Sequence, residues 1–398
     1  MNLLRTILSL LGVTIGIFAI ISVFTLVDSL ENSIKDSLSF LGTNNINVEK
    51  WPYGIGEGPY PWWKYMQRPN PTLEEYHFLA SKVTNAKDIT IFVNRGGVTA
   101  KYKSSSSTGI DVSGVIYDHS KVYDLPIELG RYFTVDEANS GRNVVIIGNR
   151  IKDELFPNNL DPIGKDIKLN GLKFYVIGTI KEEGESFMGF PSHDDQIYIP
   201  FKTFNKMYLV GSRWGLQPTI TVKGLESDIG LVELEAELRG LMRIKRGQKP
   251  KEDDSFALNR PEAITNFIGS AFDVIGMAGW FIGGFSILVG GFGIANIMFV
   301  SVRERTNIIG IQKSLGAKNY FILFQFLFEA VFLSVLGGGI GIFLVYLLSF
   351  ISLGSLDLVL TISNVVLGIG VSATVGVISG IVPAAMASRL DPVIAIRS

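Results

Sequence analysis

Hydrophobic residues fall into two arrangements along this chain. Four windows, residues 7–27, 274–302, 330–356 and 358–388, contain no Asp, Glu, Lys or Arg. Each meets the ~20 apolar helical residues that a bilayer core requires, so four transmembrane helices are predicted. A signal peptide has a shorter apolar core of ~7–15 residues, followed by a small-residue cleavage site. Here Asp28, Ser29, Leu30 and Glu31 follow the first window, which therefore reads as a retained span. A transmembrane barrel is excluded, because its strands run ~10 residues with alternating polarity.

The helical pattern outlasts the first window. Leu26, Leu30, Ile34, Leu38 and Leu41 keep the spacing, with Asp28, Glu31, Lys35 and Asp36 between them. Before the second window, Asn259 is placed as an N-cap and Pro261 in the first turn. Ile264, Phe267, Ile268, Ala271, Phe272 and Ile275 then share one face. Both extensions predict a stalk projecting outward from the membrane. The intervening chain reads as strand and helix: a strand over 45–50, a Gly/Pro/aromatic segment over 51–71, and a helix over 72–85. Thr72 and Glu75 form a capping-box pattern at that helix start. Strands over 89–93 and 97–103, a Ser-rich turn over 104–107 and a strand over 109–116 follow. A strand over 219–223, an amphipathic helix over 227–243 and a strand over 254–258 complete a second β-α-β unit, able to share a sheet with the first. Between the units, short strands over 143–147, 166–169, 174–180 and 196–199 predict an inserted, mostly β subdomain.

The predicted fold class is an α+β membrane protein: four transmembrane helices, with a large extracytoplasmic α+β domain between spans one and two. Residues 1–41 hold the first span and stalk. Residues 42–116 and 217–258 form a porter-like domain around the insert at 117–216. Residues 259–302 hold stalk and second span, and 303–318 a cytoplasmic loop. Residues 319–356 and 357–388 hold spans three and four, and 389–398 the tail.

Charged residues make up 18% of the chain and mean hydropathy is +0.32, against ~25% charged in a typical soluble protein. The deficit lies wholly in the four windows, which rules out a purely soluble enzyme and intrinsic disorder. Arg303, Arg305, Lys313 and Lys318 fall between spans two and three, Arg389 and Arg397 in the tail, and Arg5 at the start. Basic short loops stay cytoplasmic, so both termini are placed inside and the 28–273 segment outside, in a cell inner membrane. Cysteine is absent, so no disulfide framework exists.

Enzymatic signatures fail. No GxxxxGK[ST] phosphate loop occurs, no G-x-S-x-G occurs, and His77, His119 and His193 lack metal-ligand spacing. His193, Asp194 and Asp195 read as a solvated loop rather than a metal site. No catalytic residue and no cofactor are assigned to the chain, and no nucleic-acid partner is expected. Small residues four apart recur in every span, at Gly12/Gly16, Gly279/Gly283, Gly337/Gly341 and Gly376/Gly380. They allow close helix approach in lipid. Glu329 is the ionisable residue inside a hydrophobic stretch, and a partner among the basic loop residues is one reading of it. The loop 302–317 carries Ile308, Ile309, Ile311 and Leu315, read as one greasy face of a short interfacial helix, either pressed into a partner's groove or anchored on the membrane surface. Trp51, Trp62 and Trp63 cluster with Tyr53, Tyr60 and Tyr65, either as a contact surface for a partner or apolar substrate, or as rings folded back onto the sheet.

NIMFVSVRERTNIIGIQKSLGA (296–317) and PAAMASRLDPVIAIRS (383–398) resemble the hallmarks of FtsX-like permeases, in particular the MacB type of ABC transporter permease. The opening LRTILSLLGVTIGI and the stretch over 129–180 resemble the family's first span and outer β subdomain. The resemblance implies a mechanotransmitting membrane subunit, working as a homodimer or with a closely related permease. A cytoplasmic ATPase subunit would bind the ATP and magnesium, and a periplasmic adaptor and outer-membrane channel are conceivable partners. It implies ATPase coupling for Glu304, Arg305, Thr306, Gly310, Ile311, Lys313, Leu315, Gly316 and Ala317. It also implies a tail motif of Pro383, Asp391, Pro392 and Arg397. Asn307, Ile308, Gln312 and Ser314 depart from the family's usual basic, acidic, basic and alanine residues. Export of a small amphipathic, peptide or lipid-linked cargo is the leading expectation; the rival is a non-transporting regulator that activates a cell-wall hydrolase.

Overall fold

The computed structural model describes residues 3–38, 44–54, 59–158, 160–183, 192–212, 214–350, 358–392 and 395. Leu41, Asp357 and Arg397 lie outside these. The chain opens with α1 (Leu3–Leu38), β1 (Asn45–Glu49), α2 (Trp62–Tyr65) and α3 (Leu73–Lys82). It continues through β2 (Ala86–Tyr102), β3 (Ser105–Val115), α4 (His119–Val122), β4 (Ile127–Gly130), α5 (Val135–Ser140), β5 (Val144–Ile147) and α6 (Asn149–Leu155). Next come β6 (Asp166–Leu169), β7 (Leu172–Ile180), β8 (Gln196–Pro200), α7 (Phe201–Met207), β9 (Thr219–Gly224), α8 (Val232–Lys245) and β10 (Ala257–Asn259). Four helices close the chain: α9 (Pro261–Glu304), α10 (Thr306–Ser314), α11 (Asn319–Leu348) and α12 (Ile362–Ser388). It divides into two compact units, residues 34–268 and the combination of 1–33 with 269–398.

The first unit is built on one ten-stranded sheet in the order β10-β1-β9-β2-β3-β8-β5-β7-β4. Its β10-β1-β9-β2 end interleaves the two β-α-β units, so each unit's strands flank a strand of the other, all antiparallel. Among the described residues the insert forms no sheet of its own. Strand β6 pairs with both β2 and β7, so β2, β3, β8, β5, β7 and β6 close a ring. The two strands expected over 89–93 and 97–103 are one long strand. Its register slips between Arg95 and Val98, beside Gly97 at φ 73, the left-handed conformation that glycine tolerates. The turn into β3 is tighter than expected, with Ser105 to Ser107 already paired to β2.

The helices follow from their ends. Thr72 caps α3 through the Glu75 amide (3.2 Å), and the Glu75 carboxylate returns to the Thr72 amide (3.0 Å). Glu75 also holds the Arg246 guanidinium at 2.7 Å, with both side chains buried. A second capping box, Thr134 with Glu137, starts α5. Beneath α3 and α8, Ile46, Val48, Ile91, Val93, Ile220 and Val222 of alternating strand positions pack on Leu79, Leu234, Leu238 and Met242. Asn259 is no N-cap. It ends β10, where its amide donates to Glu49 (2.6 Å) and the Trp51 carbonyl (2.7 Å), while its oxygen accepts from the Tyr53 amide (3.0 Å). A buried acceptor beside it claims the side chain before the helix does.

In the second unit, α1, α9, α11 and α12 are each long and apolar enough to cross a membrane. Helix α9 runs 44 residues and α1 runs 36. At 1.5 Å per residue these span about 66 and about 54 Å, well beyond a ~30 Å hydrocarbon core. Helices α1 and α9 pack antiparallel: Gly12 meets Gly290, Gly16 meets the Ser286 carbonyl, Ile20 meets Gly283 and Val23 meets Gly279. A Cβ at Gly341 would stand 2.9 Å from the Thr14 carbonyl oxygen, and one at Gly376 only 2.7 Å from Val331 Cα. One turn further along α12, a Cβ at Gly380 would stand 2.5 Å from the Ala330 Cβ. Polar links add to this contact: Thr14 donates to the Gly337 carbonyl (3.1 Å) and Ser334 to the Ser372 carbonyl (2.5 Å).

Gly376→Ala is expected to cost about 1–3 kcal/mol, because backbone stands where its methyl would go. Gly370→Ala, with open space around it, is expected to be neutral or to gain up to about 1 kcal/mol of helix propensity. Thermal unfolding of the purified protein in detergent checks the pair.

Candidate functional site

Helix α9 ends at Glu304, and the chain turns at Arg305 (φ −102, ψ 12) into α10. The Thr306 hydroxyl donates to the Val302 and Arg303 carbonyls (3.1 and 2.9 Å), satisfying acceptors at the end of α9. At the other end, the Ala317 amide donates to the Gln312 carbonyl and the Gly316 amide to that of Lys313. This is a Schellman closure with Gly316 at φ 100. The Leu315-Gly316-Ala317 sequence is thus a helix stop, and Gly316 is held there by its backbone conformation.

The side chains of α10 sort against expectation. Arg305, Ile309 and Lys313 are four apart and so share a face; that face turns into the bundle. Arg305 Nη1 lies 3.0 Å from Glu329 Oε2 on α11. Ile309 is 2% exposed and packs in the core formed with Met298, Ile322, Phe326, Ala384 and Ala387. Lys313 Nζ donates to the carbonyls of Ser388 (2.9 Å) and Leu390 (2.7 Å). A cation there meets the negative end of the α12 dipole. The outward face carries Ile308, Ile311 and Leu315, which are 55%, 48% and 83% exposed. The four apolar residues therefore do not form one greasy face. Ile309 points inward, because it stands between the two pinned cations.

The other sequence-derived residues are placed as follows. Gly310 is buried, whereas Glu304 is exposed. Pro383 is buried within α12, and Asp391 and Pro392 follow its end. All four glycine pairs serve contacts within the chain. Gly12 and Gly16 face α9, Gly279 and Gly283 face α1, and Gly337 and Gly341 face α1. Gly376 and Gly380, both buried, face Val331 and Ala330 of α11. Trp62 and Trp63 are exposed and meet edge to face at 6.0 Å, while Trp51 is half-buried under the Lys50 ammonium.

A second polar centre lies in the ten-stranded domain, which sequence reasoning missed. The sheet face opposite α3 and α8 carries Asn47, Glu49, Thr90, Thr219 and Thr221. Tyr123 and Thr221 share a hydrogen bond (3.0 Å), Thr221 donates to Asn47 (2.7 Å), and Asn47 donates to Tyr53 (3.2 Å). Burial pushes the Tyr53 phenol up to about 12 and raises Glu49. Beside this network a cavity of about 60 Å³ is bordered by Asn94, Ser113, His119, His193, Gln196 and Tyr198. His193 bonds to the Tyr198 hydroxyl, Asp194 accepts the Glu183 amide and Asp195 pairs with Arg150. That triplet is committed to protein partners, not a solvated loop. The alternation of Asn and Thr with apolar residues in β1 and β9 was the available signal.

A four-helix membrane bundle with a large domain inserted after its first span, and an apolar helix turned outward after its second, defines a permease build. The chain belongs to the MacB-like, FtsX-type permease family. The MacB-like periplasmic core domain model matches residues 6–241 and the FtsX-like permease C-terminal model residues 280–392. An ABC transporter permease of Bacillus subtilis, YvrN, is 32% identical over 99% of this chain and 96% of its own length. The macrolide export ATP-binding/permease protein MacB of Bdellovibrio bacteriovorus is 32% identical over 100% of this chain. The chain spans about 60% of the length of such MacB relatives. The periplasmic region of MacB from Actinobacillus actinomycetemcomitans aligns with 57% of this chain and 94% of its own, at 21% identity and a TM-score of 0.45.

Two outcomes are expected. Arg305→Glu should lower the melting temperature in detergent, and adding Glu329→Arg should recover most of the loss, as a double-mutant cycle reads out. Burial lowers His119 to about 3, whereas an unfolded histidine titrates near ~6.5. Between these values the unfolded chain binds a proton that the folded chain does not. Stability is therefore complete above ~6.5 and falls, by several kcal/mol, as pH drops toward 3. His119→Gln should give a shallower pH dependence over that window in urea unfolding followed by tryptophan fluorescence.

Proposed function

We propose that this chain is the membrane subunit of an inner-membrane ABC exporter, and that α10 docks into a groove on a separate cytoplasmic ATPase subunit. The observation that carries the reading is the inverted amphipathicity of α10: its cations are consumed by the bundle, and its outward face is Ile308, Ile311 and Leu315. An apolar helix face presented at i, i+3 and i+7 suits a helix-in-groove contact. ATP and magnesium belong to the partner. In this reading both termini are cytoplasmic and two copies of the chain work together. Closure of the two ATPases moves α10, and the continuous helices α1 and α9 carry that movement to the extracytoplasmic domain. The cargo class is a small amphipathic molecule, peptide or lipid-linked compound. The name MacB on its relatives supports export; a periplasmic adaptor and outer-membrane channel would complete the path.

Ile311→Asp and Leu315→Asp should abolish co-purification with the ATPase subunit while leaving the melting temperature within about 1 °C of the parent, since surface changes are usually within ±0.5 kcal/mol. Ile309→Asp should instead unfold the bundle. If the outward variants still capture the ATPase, the docking assignment fails. Cells lacking the chain should accumulate cargo; defective wall cleavage without accumulation would assign it to hydrolase activation instead.

A further inference from the structure

Strands β3 and β8 lie side by side and parallel, ending together at Val115 and Pro200. Beyond these ends the chain leaves toward opposite faces of the sheet. From β3 it enters α4, where His119 bonds to Thr90 on the polar face. From β8 it enters α7, where Phe204 packs over Gly114 in the core shared with α3 and α8. Adjacent parallel strands whose connections diverge leave a crevice at their carboxyl ends, the usual place for a ligand in such sheets. Here the crevice measures about 190 Å³. Ile116 and Phe201, just past the two strands, line it with Tyr76 of α3 and Ala138 of α5. Thr203 and Lys206 of α7 donate to the carbonyls of Arg142 and Gly141 (2.9 and 3.0 Å), which holds α5 against α7.

Tyr76 is 8% exposed, with its ring in the core. Its hydroxyl makes no hydrogen bond among the described residues. Unlike the hydroxyls of Ser107 and Thr179, which are shut off from solvent, its oxygen stays open. Burial pushes the phenol up to about 12, so it remains a donor at neutral pH. Two charged side chains border the crevice beside His77. Asp118 is engaged by Lys121 at 2.7 Å, whereas Lys202 has no acidic partner among the described residues.

We propose that this crevice binds a small aromatic carboxylate, its ring against Ile116 and Phe201 and its carboxylate facing the Tyr76 hydroxyl and the Lys202 ammonium. Size selects the ring: an apolar cavity of about 150 Å³ takes up benzene, so this crevice holds one ring with one small substituent. The open hydroxyl selects an acceptor, and the unpaired cation selects a charged one. The assignment is independent of the docking of α10.

Fluorine NMR of 4-fluorobenzoate titrated with the full-length protein in detergent tests this. Val135→Trp, a change at an exposed position on the crevice border, should block entry and so define the background from the micelle. The parent should broaden the signal well above that background. Tyr76→Phe keeps the ring and should weaken binding about tenfold, the equivalent of one hydrogen bond to a charged acceptor. Lys202→Gln should weaken it about threefold, as for an exposed charge. 4-Fluorobenzylamine, with the opposite charge, should bind at least tenfold more weakly than the benzoate. No broadening above background, binding unchanged in Tyr76→Phe, or the amine binding as tightly as the carboxylate would each overturn the proposal. Tyr76→Phe should also melt with the parent, because its hydroxyl is bonded to nothing in the domain; a lower melting temperature would assign that hydroxyl to the fold and overturn the site.

Discussion

The bundle depends on backbone approaching backbone along α1. In lipid no hydrophobic force drives helices together, so association rests on close packing and a few polar links. Helix α1 meets each of its neighbours at glycine. Gly279, Gly283 and Gly290 of α9 receive Val23, Ile20 and Val13; Gly337 and Gly341 of α11 receive Val13 and Thr14; Gly368 of α12 receives Ile21. At most of these contacts β-branched bulk on α1 meets glycine of a partner; at Gly12 and Gly16 the glycine is on α1 and meets Gly290 and the Ser286 carbonyl of α9. Between α11 and α12 the same device recurs without α1, with Gly376 and Gly380 admitting Val331 and Ala330. A side chain added at any of the positions facing α1 separates a pair of helices, and the loss spreads because one helix serves all three contacts.

This packing gives α10 its meaning. A nine-residue helix is too short to hold itself together in water. It persists here because two links fasten it to different helices: Arg305 to Glu329 of α11, and Lys313 to the carbonyl end of α12. One link would fix position and leave rotation free. Two links on one face, with Ile309 buried between them, fix rotation as well, and so determine which residues look outward. Glu329 is therefore explained by its partner on the loop, and needs no role in moving a substrate or proton.

The spans were legible because hydrocarbon excludes charge so severely that its absence marks them. The capping box at Thr72 and most short strands of the insert were legible because their signals are local. What escaped was non-local. Strand β6 closes its ring by pairing with β2, some seventy residues earlier in the chain, and no local pattern encodes that. Asn259 has the sequence of an N-cap, but Glu49 and Tyr53 claim it across the sheet. The face of α10 escaped for a related reason. Spacing identifies which residues share a side, but the partners, Glu329 and the end of α12, decide which side is in.

The departures of this chain from the usual coupling-loop pattern follow the same division. Of the residues that match it, Arg305, Lys313 and Gly316 attach and terminate α10, while Ile311 and Leu315 lie on its outward face. Of the four departures, Asn307, Ile308 and Ser314 are exposed, and Gln312 is half-buried. The sequence has thus kept what builds the helix into the bundle and, in Ile311 and Leu315, part of its outward apolar face, while three of its four departures fall on exposed positions. Charges at a contact rim chiefly set partner choice and association rate, whereas buried apolar contact sets how long a complex lasts. With Asn307 and Ile308 neutral, a groove of the kind proposed above would gain nothing from ionic complementarity at those positions and would rest on Ile308, Ile311 and Leu315. An ATPase shaped for the charged version of the loop would present desolvated, unpaired groups to this one. On the docking proposed above, that mismatch would favour a partner fitted to this loop over one shared with relatives.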